Sequence, residues 1–279
     1  MRVAVIGSGP AGFNTIEYLQ KHVPGVEVDL FDRLPTPYGL VRGGVAPDHP
    51  KIKSVTRVYD KLAKHPGFRF LGNVNIGEDL THAELALHYD AVIYSTGAQT
   101  DRHLGIPGEH LPGSHAATEF VGWYNAHPDF RDHTFDLGAE NVAVIGLGNV
   151  AMDVTRMLAT RPEDLATTDV AQHALDALRQ SGVKNIYVLG RRGPVQAAFT
   201  NPELKELGEL EGVDVSVDPQ ELELDPLSAA ELAATSDHGP ARNLHTLAEY
   251  AGRQPAGAPR RIGLRFFVSP VEQIGRAHV

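Results

Sequence analysis

Two short runs in the 279-residue chain carry glycines at a spacing that suits a phosphate-binding turn. Gly7-Ser8-Gly9-Pro10-Ala11-Gly12 follows the apolar residues 3–6, and Gly146-Leu147-Gly148-Asn149-Val150-Ala151 follows the apolar residues 142–145. In such a turn the first glycine permits a tight bend. The second lets a pyrophosphate approach the backbone, and the third position lets helix and strand pack closely. Alanine at the third position, as at Ala151, is an accepted variant. The helix that follows each turn offers free N–H groups and the positive end of its dipole to phosphate. Each run therefore predicts a dinucleotide site.

The two runs differ at the end of the next strand. A ribose-binding acid is expected about twenty residues beyond the last glycine, and Asp32 stands there in the first unit. In the second unit that place is taken by Arg191-Arg192. A carboxylate would repel a 2′-phosphate, whereas guanidinium groups bind one. The first site is thus expected to take a non-phosphorylated dinucleotide and the second to prefer NADP over NAD.

The elements that must position these residues follow from the apolar pattern. Strands are predicted at residues 3–6, 26–31, 68–71, 74–76 and 91–94, with helices at 13–22 and 54–65 and a Pro- and Gly-rich loop at 35–50. The pattern restarts after Pro112-Gly113, with strands at 142–145 and 186–189 and helices at 150–159 and 171–180. Residues 221–259 read as helical pieces and loops. Alternating strands and helices imply parallel sheets covered by helices. The predicted fold class is α/β, with two dinucleotide-binding, Rossmann-like domains: residues 1–104 and 105–273.

Composition narrows the function classes. A hydrophobic content of 42% and a charged content of 22% describe a globular chain. The net charge of −10 argues against a nucleic-acid binder. No apolar run approaches the ~20 residues of a membrane span, and no targeting segment precedes the first strand. The absence of cysteine excludes from this chain disulfides, a Cys-ligated metal or iron–sulfur centre, and a dithiol redox pair. No metal-ligand set is read from the sequence, and the expected compartment is the cytoplasm.

The motifs together resemble adrenodoxin reductase and the adrenodoxin-reductase-like ferredoxin–NADP reductases. The resemblance is carried by the first glycine run, by Tyr38-Gly39-Leu40-Val41-Arg42-Gly43-Gly44-Val45-Ala46-Pro47-Asp48-His49-Pro50, by Phe120-Val121-Gly122-Trp123-Tyr124-Asn125, by Gly148-Asn149-Val150-Ala151-Met152-Asp153 and by Gly190-Arg191-Arg192-Gly193-Pro194. It implies FAD at the first turn and NADP(H) at the second. It also implies hydride transfer from NADPH to the flavin, then single electrons to a ferredoxin-type iron–sulfur protein. Carried over by motif, Ala11, Asp32, Leu40 and Ile76 line the FAD site. Arg102, Leu147, Gly148, Asn149, Val150, Arg191, Arg192 and Glu203 line the NADP site. His49 and Asp153 are the pair associated with catalysis. Lys21, His22, Arg42, Lys51, Lys53, Arg57 and Lys205 are candidates for receiving an acidic ferredoxin, and the protein is expected to be a monomer.

The family chain is longer and returns to its flavin domain after the NADP domain. That return segment is not recognised here, so the flavin domain is expected to be incomplete. Residues 274–279 can be back-translated into a sequencing-adapter sequence and are expected to be an artefactual tail. The alternative of a different class is a regulatory or interaction protein that binds NADP(H) without turnover. The electron-input subunit of a larger oxidoreductase, similar to the small subunit of glutamate synthase, and the two-dinucleotide disulfide reductases both need cysteines that this chain lacks.

Overall fold

Every strand among the described residues pairs in parallel, so each sheet needs apolar residues on both faces and helices to cover them. The computed structural model describes residues 1–98 and 100–275. The chain divides into two units, Met1–Thr100 and Asp101–Val279.

The first unit runs β1 (Arg2–Ile6), α1 (Pro10–His22), β2 (Glu27–Phe31), the short α2 (Leu40–Gly43) and α3 (Pro50–Lys53), α4 (Thr56–Leu62), β3 (Phe68–Leu71), α5 (His82–His88) and β4 (Ala91–Tyr94). Its sheet has the order β3-β2-β1-β4. The chain moves outward from β1 to β2 and β3, then returns to the other side of β1. This makes a topological switch point at the carboxyl ends of β1 and β4. The period of two in β1 sorts its side chains. Val3 and Val5 pack with Phe13, Ile16 and Tyr59 on one face. Ala4 and Ile6 pack with Phe31 and Leu85 on the other.

The second unit runs α6 (Ala117–Tyr124), β5 (Asn141–Ile145), α7 (Asn149–Ala159), α8 (Pro162–Leu165), α9 (Gln172–Arg179), β6 (Asn185–Leu189), α10 (Asn201–Leu207), β7 (Val213–Val217), α11 (Pro226–Ala234), α12 (Gly239–Ala251) and β8 (Arg260–Arg265). The sheet order is β5-β6-β8-β7. Its core joins Val142, Val144, Met152, Met157, Ile186, Val188, Ile262 and Leu264 with Trp123, Tyr124 and Tyr250.

Three differences from the sequence reading have physical causes. Residues 74–76 form no strand, only an isolated bridge between Ile76 and Leu80. Asn73 and Gly77 take left-handed conformations at φ 59° and 107°, which turn the chain at both ends of that segment. The predicted helix at 54–65 is shorter, and a separate turn of helix begins at Pro50, where proline suits the first helical position. The predicted loop at 35–50 contains α2. Of the proposed tail, residues 276–279 lie outside the described residues. Among the described residues no helix is long and apolar enough to cross a membrane.

A buried charge cluster ties the first sheet together. Asp29 on β2 is 2% exposed. It accepts two hydrogen bonds of 2.6 Å from Arg69 on β3, one of 2.7 Å from Tyr89 Oη and one of 3.3 Å from Arg2 on β1. Burial pushes its carboxyl up, but the hydrogen bonds from Arg69 and Tyr89 outweigh it and hold the group below the usual carboxylate range. Burial and the Asp29 contact push the Tyr89 hydroxyl up to about 12. Asp29→Asn should cost about 3 kcal/mol at neutral pH, the low end for a broken buried ion pair because both arginines are partly exposed. The folded-state value is depressed, so this contribution is complete above the unfolded value near pH ~4. It fades as pH falls through the folded value. Denaturant titrations of both proteins across the acid range check this: the stability gap must narrow on acidification, and a constant gap would remove charge as its cause.

Candidate functional site

In the first unit the glycine run leaves β1 at the switch point. Gly7 has φ 103°, and a Cβ there would lie 2.4 Å from the carbonyl oxygen of Ser95, just beyond β4. A Cβ on Gly12 would lie 2.1 Å from Gly7 O. These two glycines are therefore demanded by the fold itself. Gly9 is different: a Cβ on it would meet nothing closer than Gly39 Cα at 3.9 Å. Its openness is the space that a ligand backbone contact would use.

Helix α1 begins with no side-chain cap and no acid in its first turn. The first intrahelical bond is Phe13 N to Gly9 O at 3.1 Å, so the N–H groups of Ala11 and Gly12 have no acceptor within the helix. The first site thus offers open backbone, two free donors and an uncompensated dipole end.

Asp32 follows β2 and grips the turn from beneath. One carboxylate oxygen accepts from the Ser8 N–H at 2.9 Å and from the Ser8 hydroxyl, and the other accepts from Leu34 N at 2.9 Å. Ser8 was not singled out in the sequence, yet it is fully buried and links acid to turn. The loop at 38–40 lies against the same turn. Tyr38 N donates to Ser8 O at 3.0 Å, and Tyr38 itself sits at φ 93°. A non-glycine residue there costs of order 1–3 kcal/mol and must be held by its surroundings. Those are the ring of Phe13 at 5.6 Å and the Asp60 carboxylate that accepts from the Tyr38 hydroxyl. Burial and Asp60 push that hydroxyl up to about 12. Leu40 follows with its side chain 66% exposed. Ile76 is half-buried against the Ala4, Ile6, Phe31 and Leu85 cluster. His49 occupies the N-cap position of α3, without a side-chain capping bond.

The second unit repeats the geometry with a more open turn. Gly146 has φ 131°, and neither Gly146 nor Gly148 has any atom within 4 Å of a Cβ position. Helix α7 again begins without a side-chain cap or first-turn acid, and Met152 N to Gly148 O is its first bond. The N–H groups of Asn149, Val150 and Ala151 are left for a ligand or solvent. Val150 is half exposed beside them. The turn is steadied by Ala198 N to Leu147 O at 2.8 Å and Thr200 N to Asn149 Oδ1 at 2.8 Å. Because β5 and β6 are parallel neighbours, with Ile145 opposite Leu189, both leave the sheet at one edge. Arg191 and Arg192 therefore emerge beside the Gly146 turn. Both are exposed, and among the described residues neither has an acidic partner. Arg102 is exposed in the segment that opens the unit.

The remaining predicted residues of this unit meet on a side chain the sequence did not flag. Arg156 on α7 is 2% exposed. It pairs with Asp153 at 2.7 Å, with Glu203 on α10 at 3.1 Å and with Glu206 at 3.1 Å. The spacing of Asp153 and Arg156 on one helix was a readable signal; their link to α10 was not.

Two parallel sheets, each with an open glycine turn and an uncapped helix at its carboxyl edge, define a two-dinucleotide architecture. The chain belongs to the pyridine nucleotide-disulphide oxidoreductase family, whose model matches residues 1–192. It is similar to NADPH-ferredoxin reductase FprA of Mycobacterium leprae, at 51% identity over 99% of this chain and 61% of that one. A solved structure of Mycobacterium tuberculosis FprA in complex with NADPH matches with a TM-score of 0.93 and 50% identity, over 99% of this chain and 61% of that one. The NADPH:adrenodoxin oxidoreductase of Bos taurus is 42% identical over 96% of this chain and 56% of its own length. The chain thus spans less than two thirds of the relatives it matches.

Arg156→Met should lower stability by about 3–5 kcal/mol, since it takes a buried cation away from two largely buried carboxylates. Arg156→Lys should restore only part, because a lysine ammonium lacks the planar, five-donor fork of the guanidinium. Urea midpoints of the three proteins check this, and an unchanged Arg156→Met midpoint would contradict it.

Proposed function

We propose that this chain is part of a flavoprotein reductase, with residues 1–104 holding FAD and residues 105–273 holding NADP(H). The observation that carries the reading is the pair of open turns with different neighbours: Asp32 in the first, and the two exposed, unpartnered arginines in the second. The fit is supported by Gly146 and Gly148, where a Cβ would meet nothing within 4 Å, and by Gly9, where it would meet only Gly39 Cα at 3.9 Å. Bound there, the two dinucleotides supply hydride transfer from NADPH to flavin and one-electron delivery to a ferredoxin-type iron–sulfur protein.

The chain's own residues do the binding and orienting. In the first unit the N–H groups of Ala11 and Gly12 receive pyrophosphate, and Asp32 holds the turn while keeping acceptor capacity for a ribose hydroxyl. Leu40 and Ile76 flank the flavin. In the second unit Leu147, Gly148, Asn149 and Val150 form the cradle, Arg191 and Arg192 hold the 2′-phosphate, and Arg102 and Glu203 complete the site. His49 in the first unit and Asp153 in the second are the candidate catalytic residues. A histidine suits proton movement near neutral pH.

The partner in this reading is an acidic ferredoxin. Among the candidate cations, Lys21 is paired with Glu17 at 2.7 Å and Arg42 lies over the Tyr38 ring at 5.3 Å. Lys51 and Arg57 are exposed beside the exposed Ile52 and Val58, which makes them the stronger candidates. The reading takes the protein as a cytoplasmic monomer; without cysteine, no disulfide ties its stability to an oxidising compartment.

Two expected outcomes test the cofactor assignments. Replacing both Arg191 and Arg192 by Ala should weaken NADP binding by about 100-fold or more and leave NAD within about twofold, since each of the two charge-assisted phosphate contacts is worth ~1.5–3 kcal/mol. Equal losses for both nucleotides would overturn the 2′-phosphate role. Gly148→Ala should change the unfolding free energy by no more than ~1 kcal/mol, because its φ of −102° is open to alanine while alanine is a poorer N-cap than glycine. It should nevertheless weaken NADP binding at least about tenfold by crowding the pyrophosphate. Calorimetry measures both. For the activity, flavin absorbance that bleaches with NADPH and recovers with an acidic ferredoxin supports the reductase. NADP binding by a chain that takes no flavin favours a sensor without turnover.

A further inference from the structure

We propose that His103, Glu109 and His110 form a surface site for a borderline divalent transition metal, with zinc as the probe. The three residues open the second unit and belong to neither the glycine turn nor the arginine pair. One ligand atom from each lies within 4.8 Å of the other two. His103 Nδ1 is 3.1 Å from Glu109 Oε1, and the two imidazole rings meet edge to face with centroids 5.6 Å apart. Zinc takes nitrogen and carboxylate oxygen at ~2.0–2.2 Å in a tetrahedron, which separates neighbouring ligand atoms by about 3.3–3.5 Å. The group is therefore close to a ligating geometry, and the residual adjustment falls on exposed histidine side chains.

The carboxylate is held before any ion arrives. Glu109 Oε1 accepts from Leu104 N at 2.7 Å, and Oε2 accepts from Gly105 N at 2.8 Å. Such bonds orient a metal ligand and leave lone pairs for the ion. The turn beneath is pinned from behind. Gln273 N donates to Pro107 O at 2.8 Å, and a Cβ on Gly108 would lie 2.1 Å from Gln273 O. Gly108 takes φ 79°, so glycine is required there for both reasons. Among the described residues no lysine or arginine pairs with Glu109, so no fixed cation competes for the carboxylate.

The donor set selects the class of ion. Two imidazole nitrogens and one carboxylate suit zinc, nickel or copper, while magnesium and calcium prefer oxygen ligands throughout. Three protein ligands leave a fourth position for water. Zinc is expected at one equivalent with a micromolar dissociation constant.

The test uses the full 279-residue chain, free of chelator and of any histidine tag. Zinc alone is titrated in competition with a chromophoric chelator. His103→Gln and His110→Gln should each weaken binding by about tenfold or more. His245→Gln, at a surface His–Glu pair on α12, should leave it unchanged. Copper in place of zinc should show nitrogen hyperfine coupling from two imidazoles in the wild type and from one in each single variant. Circular dichroism establishes that the variants fold. A double variant that keeps wild-type zinc affinity would overturn the site, as would wild-type binding weaker than about 1 mM.

Discussion

The first N–H groups of a helix have no partner within it, and a protein normally satisfies them with a capping side chain. Most helices of this chain begin without such a cap, and in α1 and α7 the uncapped end is also where a glycine turn delivers the helix from a parallel strand. That choice governs the surroundings of both sites. The turns must be tight enough to place the helix directly after the strand, which is why Gly7 and Gly12 sit in near contact. They must also remain open on the outer side, which is why Gly9 and Gly148 touch so little. The same residue type serves two opposite needs within one motif.

The two units then diverge through charge. In the first, Asp32 is already engaged, bonded to Ser8 and Leu34, so its negative charge is built into the turn as well as offered at the edge. In the second, Arg191 and Arg192 are exposed and uncommitted. A pair of guanidinium groups without a carboxylate partner gains little for the fold, whereas beside a phosphate cradle it gains an anion. This contrast in commitment is stronger support for two chemically distinct sites than the difference in residue type alone.

Buried charge elsewhere follows a consistent logic. Asp29 gathers Arg2, Arg69 and Tyr89 across β1, β2, β3 and the residue after α5. Arg156 gathers Asp153, Glu203 and Glu206 across α7 and α10. In each case one group, 2% exposed, is surrounded by several opposite partners, which is the arrangement that offsets desolvation best. The Arg156 cluster also draws Asp153 and Glu203 into shared packing, so any chemistry of Asp153 is exercised beside a guanidinium that it shares with two other carboxylates.

Much of the architecture was legible in order along the chain. Local spacing alone placed β1, α1 and β2 around the first turn, and β5, α7 and β6 around the second, because glycine turns and apolar runs act within a few residues. The Thr81–Glu84 capping box that starts α5 was equally local, with Glu84 N to Thr81 Oγ1 at 3.2 Å, and could have been read. Other features were decided only by tertiary structure. The strand β8 slots between β6 and β7, a position set by long-range pairing, with Arg261 opposite Asn185 and Arg260 opposite Val213, and by no local signal. Residues 74–76 have a strand-like composition but are turned away at Asn73 and Gly77. Ser8 under Asp32, Arg156 between two helices and the nearness of His103 to Glu109 depend on where folded backbone places side chains. Sequence determined which residues could bind phosphate, because backbone conformation near glycine is a local property. Tertiary structure decided which charges were already spent and which remained available, because that depends on contacts between distant segments.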